Sequence, residues 1–395
     1  MKVPGPALLA GAIALLCAGL WLGGHPRDLP SALRDAFVDE QTAVNAEAID
    51  VIRDNYFREV DAGRLDDAAL DGMVEELRRR YKDRFSHYFD PRQLDRFDEV
   101  TSGHFSGVGL NVSEVKRGLR VARVFPDAPA GRAGIRVGDV IVSVNGRSIA
   151  GEDSSIATAR IKGPAGTEVR LGVLRPSTDR VRRLVVERAR VSIPVVASSL
   201  RRAAGERVGY VQLVTFSRGA HEQLNERLER LQRRDVGGIV LDLRGNGGGL
   251  LQEAVIIASL FLEDGQRVVS TDARGEGRRV YDAIADPPFG DLPVVILVNR
   301  DSASASEILA AALSDHDRAT VVGTRTFGKG VFQQVIDLSN GGALDLTVGE
   351  YFTPDGDSLA DKGFQPQVRA ADRPETPADE GLRRALEVLG AEIGR

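Results

Sequence analysis

Four patterns of apolar and polar positions follow one another along the chain. Val3 to Gly24 holds no ionisable group apart from Cys17 and follows Lys2, the pattern of an export segment. Its core, Ala7 to Leu22, is long for the roughly 7–15 apolar residues of a cleaved signal and short for a span of about 20. Cleavage near the small residues at 17–19 and retention as an anchor both stay open, with retention the working expectation. From Ala36 to Phe97 the apolar positions recur at helical spacing, as in Ala48 to Arg53 and Leu70 to Leu77. These segments read as packing helices without chemistry of their own.

From His104 the period shortens to that of strands and turns. Gly107 to Leu110 leads into Leu119 to Phe125 and then into Ala133 to Gly146, where Asn145 and Gly146 form a tight-turn pair between strands. A short helix at 154–161 precedes two further strands, at 166–174 and 182–187. Beyond Val208 the apolar runs 208–214, 237–243, 293–299 and 319–323 alternate with helical stretches at 219–234, 250–262 and 304–315. That alternation predicts a layered α/β domain, whose sites belong at the C-terminal ends of its strands. One more helix is expected near Glu380 to Leu389.

Composition narrows the function. The chain has 395 residues, 42% hydrophobic and 28% charged, with a net charge of -5. It is long enough for several domains. No basic run marks a nucleic-acid surface. Cys17 is the only cysteine, so the folded part has no disulfide and no thiolate metal site, and no structural metal is expected.

Three loops at strand ends could carry chemistry. Asp242 to Leu251 is a glycine-rich turn between strand and helix, able to hold a phosphate, an oxyanion or nothing. Asn299 to Leu313 runs from a strand through small residues into a strong helix former. A substrate backbone can approach closely there, and the helix N-terminus favours negative charge. Gly323 to Gly330 has the glycine and lysine spacing of a phosphate loop, but Gly330 stands where the magnesium-binding Ser or Thr would be, and the following residues read as a strand. The five histidines have no metal-pair spacing: Asn225 follows His221 and Glu222 where a zinc helix needs histidine. His316 lies about 18 Å along its helix from Ser304, too far to serve it as a base.

The order of these elements, with Ser-Ala-Ser-Ala-Ser-Glu at 302–307 and Thr-Phe-Gly-Lys-Gly at 326–330 after a Leu-Asp-Leu-Arg-Gly-Asn loop, resembles the carboxyl-terminal processing peptidases over about Ala48 to Val368. The stretch from Gly107 to Glu187 resembles a PDZ domain. The resemblance implies a multidomain α/β plus β architecture. Its parts are a signal or anchor (1–24), an N-terminal helical region (25–100), a PDZ-like β-barrel (101–190), a ClpP/crotonase-like layered α/β catalytic domain (191–372) and a helical tail (373–395). It implies Ser304 as nucleophile, Lys329 as general base and Gln333 as the glutamine that orients it. The main-chain N–H groups of Gly249 and Ala305 would form the oxyanion hole, with Gly248 as the substitute for Gly249.

Gly107, Val108, Gly109 and Leu110 take the place of the carboxylate-binding loop of the PDZ domain. Consecutive N–H groups there suit a chain-terminal carboxylate while a peptide adds as a strand. Lys162 replaces the arginine that many members carry, and lacks its bidentate fork. No cofactor is implied. The expected partners are protein or peptide substrates entering by their C-termini, an adaptor protein, the membrane through the N-terminal segment, and further copies of the chain as a homo-oligomer. The expected location is the periplasm or cell envelope. The competing reading is an anchored PDZ scaffold that binds tails without cutting them; a Ser-His hydrolase using His316 is a second rival.

Overall fold

The computed structural model describes residues 40–372 and 378–394, so the export segment expected at 1–24 lies outside the described residues. No described helix is long and apolar enough to cross a membrane. The chain divides into two compact units at Asp90 and Pro91. The first contains helices α1 (Glu40–Asn55) and α2 (Ala62–Tyr81) and the short strand β1 (His87–Phe89). Asp61 caps α2 by accepting the Gly63 N–H, and Tyr88 is held by a 2.6 Å bond to Asp67. The strand β1 has no counterpart in the sequence expectation for this region.

The second unit opens with α3 (Pro91–Ser102) and β2 (His104–Gly107). A small barrel follows, made of β3 (Leu110–Val115), β4 (Gly118–Val124), the one-turn helix α4 (Pro129–Arg132), β5 (Val140–Val144), β6 (Arg147–Ser148), α5 (Ser154–Ile161), β7 (Glu168–Arg175) and β8 (Arg180–Glu187). The sheet order β3-β4-β5-β7-β8 leaves β3 on an edge. Asn145 and Gly146 both have positive φ and join β5 to β6, the tight turn that the sequence predicts. Leu119, Val121, Ile141, Val169 and Leu171 fill the interior with Ala157 of α5. Strand β9 (Ala189–Ser192) pairs with β2 and so closes the base of this domain.

The remaining elements are β10 (Val196–Ala203), β11 (Glu206–Leu213), α6 (Ala220–Gln232), β12 (Ile239–Asp242), α7 (Leu251–Ser259), β13 (Arg267–Ala273), β14 (Gly277–Asp282), β15 (Val294–Val298), α8 (Ala305–Asp315), β16 (Ala319–Gly323), β17 (Val331–Asp337), β18 (Ala343–Phe352), β19 (Val368–Arg369) and α9 (Glu380–Ile393). Six of the strands form one sheet in the order β10-β11-β12-β15-β16-β19, parallel from β11 onward. Its central strand β15 is apolar throughout because both faces are covered. Leu224, Ile257 and Ile308 of α6, α7 and α8 pack on one face, and Ala385 and Leu389 of α9 pack on the other. Each such buried Leu or Ile contributes about 1.5–3 kcal/mol relative to exposure. A separate antiparallel group places β18 between β17 and β13, with β14 beyond. The parallel sheet delivers the three strand-end loops to one edge, and β17 and β18 stand beside them.

Candidate active site

Ser304 is the residue before α8, at φ 55° and ψ -116° and 5% exposed. Those angles suit glycine, and a side chain there costs about 1–3 kcal/mol. Surrounding bonds enforce them. The Ser304 carbonyl accepts the N–H groups of Glu307 and Ile308 at 2.8 and 2.9 Å, starting the helix. Ala305 to Leu313 are all buried, so the head of α8 cannot drift from the sheet. Ser302 and Ser306 serve structure instead: their hydroxyls donate to the carbonyls of Leu243 and Asn246.

Lys329 lies in the loop between β16 and β17. Burial pushes its ammonium below the ordinary lysine range, and the negative charges of Asp345 and Glu307 oppose that shift. The direction is the one a lysine base requires. The loop is tied to the serine by a residue to which sequence reasoning gave no role, the wholly buried Glu307. One of its carboxylate oxygens accepts the N–H of Ser304 at 2.8 Å and that of Lys329 at 2.9 Å. The other accepts the Gly328 N–H at 2.8 Å and the Thr326 hydroxyl at 2.5 Å. Glutamate three residues after a helix-leading serine is the capping-box spacing, and that signal was available in the sequence.

Gln333 is on β17, and its side-chain amide donates to Thr347 of β18 at 3.2 Å. Lys329 and Gln333 are therefore separated by extended chain. Tyr351 of β18 is a second neighbour that the sequence did not reveal. Its phenol neighbours Ser304, burial pushes the phenol pKa well above the usual value, and its N–H donates to the Gly330 carbonyl at 2.7 Å.

Gly248 and Gly249 precede α7. A Cβ on Gly248 would sit 2.9 Å from that of Ser304 at a φ of 101°, so only glycine fits. The Gly248 N–H is occupied by the Asn246 side chain at 2.9 Å. The bridge to Phe216 uses the Gly248 carbonyl and the Leu250 N–H, which turns the N–H of Gly249 away from Phe216. Among the described residues, no acceptor takes the N–H of Gly249 or of Ala305. Gly249 therefore has the donor available and Gly248 does not. No group of acidic, histidine or cysteine side chains among the described residues could hold a metal ion.

In the barrel domain Val108 is buried, and the N–H groups of Val108 and Gly109 meet no acceptor among the described residues. Gly109 lies against the Ala128 methyl, where a Cβ would clash at 2.2 Å. Leu110 begins the edge strand β3. Lys162 follows α5 beside Gly107, and its ammonium is paired with Glu99 of α3 at 2.5 and 2.8 Å. His316 Nε2 donates to the Arg267 carbonyl at the far end of α8, away from Ser304.

The pattern of peptidase family S41 matches residues 207–370, and that of a PDZ domain matches residues 120–175. The chain is 34% identical over 338 residues to the carboxy-terminal-processing protease of Bartonella bacilliformis, covering 83% of this chain and 75% of that one. It is 32% identical over 323 residues to the carboxy-terminal processing protease CtpA of Bacillus subtilis, covering 82% of this chain and 67% of the relative. Among solved structures, the photosystem II D1 C-terminal processing protease matches at 30% identity and a TM-score of 0.50, covering 90% of this chain and 99% of that one. A glycine-rich strand-to-helix loop, a strained serine heading a helix, a partly buried lysine and a PDZ domain thus coincide with relatives of one kind, and the chain belongs to the carboxy-terminal processing serine peptidases of family S41.

Proposed function

We propose that Ser304 and Lys329 act as a catalytic dyad that cleaves exported proteins presented by their C-terminal tails. The observation that carries this reading is the Glu307 carboxylate, which binds the main-chain N–H of both residues through one oxygen. Neutral Lys329 takes the proton of Ser304 as its Oγ attacks the peptide carbonyl, and later returns it to the leaving amine. The N–H groups of Gly249 and Ala305 receive the oxyanion, helped by the positive end of α8. Gln333 orients the lysine from β17. Water then releases the acyl product.

The tail carboxylate enters the loop Gly107 to Leu110 while its preceding residues add to the edge strand β3. Lys162 couples occupation of that loop to access at Ser304. The layered α/β catalytic domain is of the ClpP/crotonase kind. The protein works in the periplasm or cell envelope, anchored by its N-terminal segment, with an adaptor and as a homo-oligomer.

Labelling by a fluorophosphonate probe tests the dyad: the wild-type protein labels, whereas S304A does not and K329A labels at least about 100-fold more slowly. Equal labelling of K329A would refute the lysine base. Cleavage of one substrate with a free or an amidated C-terminus tests tail capture, and equal rates would refute it.

A further inference from the structure

Arg244, two residues past β12, has all its guanidinium N–H groups engaged. Its Nε and Nη2 hold the buried Asp242 at 2.7–3.1 Å. Nη1 and Nη2 also grip both oxygens of Asp379, at 2.8 and 2.9 Å, and Nη1 reaches Asp372 at 2.9 Å. Each of those distant carboxylates has a second task at the head of α9. Asp379 accepts the Leu382 N–H at 2.7 Å, and Asp372 accepts the Gly381 N–H at 2.8 Å. The start of the C-terminal helix is therefore locked to Arg244 through a planar, bidentate fork.

The other side of Arg244 leads directly to the candidate oxyanion loop. Its own N–H donates to Asp242 at 2.9 Å, and the next N–H, from Gly245, donates to Asn299 at 3.0 Å. Asn246 then holds the Gly248 N–H and accepts the Ala303 N–H at 3.0 Å and the Ser306 hydroxyl at 2.9 Å. No slack segment separates the α9 clamp from the residues flanking Ser304. Burial opposes ionisation of Asp379, but its bonds to Arg244 outweigh that and hold it below the ordinary carboxylate range.

We infer that α9 is a working part of the catalytic apparatus: Asp379 and Asp372 are positioning residues that, through Arg244, fix the loop Gly245–Gly249 against the head of α8. The inference rests on the proposed roles of Ser304 and Gly249. A helix tie of purely structural value would alter melting temperature alone. A tie that aims Gly249 alters transition-state binding without altering ground-state binding, because the oxyanion exists only in the former.

The test compares D379N and D372N with the wild type, both as the full chain. It measures kcat and KM on a peptide, inhibition by a peptide boronic acid, thermal midpoint, and binding of uncleaved peptide in an S304A background. The boronate forms a tetrahedral adduct on serine with an oxygen at the oxyanion position. A misplacement of 1 Å can cost about 100-fold, so a fractional shift is expected to lower kcat and boronate affinity together by roughly tenfold, with KM and peptide affinity unchanged. Wild-type kcat and boronate affinity in both variants would overturn the inference, as would a loss that disappears below the variant's thermal midpoint. Should D379N fail to fold, D372N decides, since it leaves the Asp379 cap of α9 in place. Full activity in the S304A single variant would instead defeat the dyad itself, a separate result.

Discussion

Glu307 receives the main-chain N–H of Lys329 at 2.9 Å while lying wholly buried in the first turn of the helix that Ser304 heads. The two halves of the proposed dyad, which belong to different loops, are thereby fastened to a single carboxylate. Removing the charge leaves the E307Q amide with one oxygen for four donors and turns its own NH2 toward an N–H. A buried donor without an acceptor costs about 1–3 kcal/mol. E307Q is expected to lower the denaturant midpoint and to reduce kcat by more than about tenfold, with a smaller change in KM. Unchanged kcat would show that the clasp is dispensable.

Burial lowers the Lys329 pKa from its ordinary 10.5, with Asp345 and Glu307 opposing. Catalysis needs the neutral amine, so kcat/KM rises with pH through the folded-state pKa and levels off below the usual lysine range. Stability follows the same group. The unfolded chain binds more protons between the lowered folded pKa and the unfolded one, so this lysine's contribution to stability rises with pH across that window. K329M abolishes both the ascending limb and that part of the slope. K329R stays charged and is expected to be at least about 100-fold slower. An activity profile whose limb sits at the exposed-lysine value would contradict this.

Two adjacent glycines offer a controlled comparison. An alanine at Gly248 puts a methyl group 2.9 Å from the Ser304 Cβ in a backbone region that L residues avoid, whereas one at Gly247 meets nothing within 4 Å. G248A is expected to lose about 100-fold or more in kcat. G247A stays within about twofold of wild type, as expected for a change that leaves packing and caps intact. Steady-state kinetics on one peptide checks both, and similar behaviour of the pair would show that the loop is not held against the serine.

The Lys162 ammonium beside the PDZ loop is occupied by Glu99. E99Q releases it to a tail carboxylate. Both partners are partly exposed, and such a pair is worth at most about 1 kcal/mol, so the expected effect is a fall in KM of no more than about fivefold for a free-acid substrate. Amidated substrate should show none. An equal effect on both would mean that Glu99 acts on something other than tail recognition.

Much of this architecture was legible in the sequence, for identifiable reasons. Val294 to Val298 and Ile239 to Leu241 are buried on both faces, so they read as continuous apolar runs. The helix at Ala305 begins after small residues and holds its alanine-rich pattern to Leu313. The hairpin Arg267–Asp282 and the strand Ala343–Phe352 were not predicted, because Arg278, Arg279, Asp345 and Glu350 interrupt any clean alternation. Ser304 and Lys329 were singled out through motif and spacing. Tyr351 was not, since nothing local marks a tyrosine that another strand brings to Ser304. Pairs such as Lys162 with Glu99 and Arg244 with Asp379 join residues far apart in the chain, and no periodicity records such pairings.

The left-handed backbone at Ser304 has one more consequence. Glycine would relax that strain, so the fold itself would gain from losing the side-chain Cβ, and under the proposed function it is turnover that keeps the serine in place. A descendant released from that selection would drift toward a sturdier, inert protein that keeps its PDZ domain, which is a direct route from a protease to a binding scaffold.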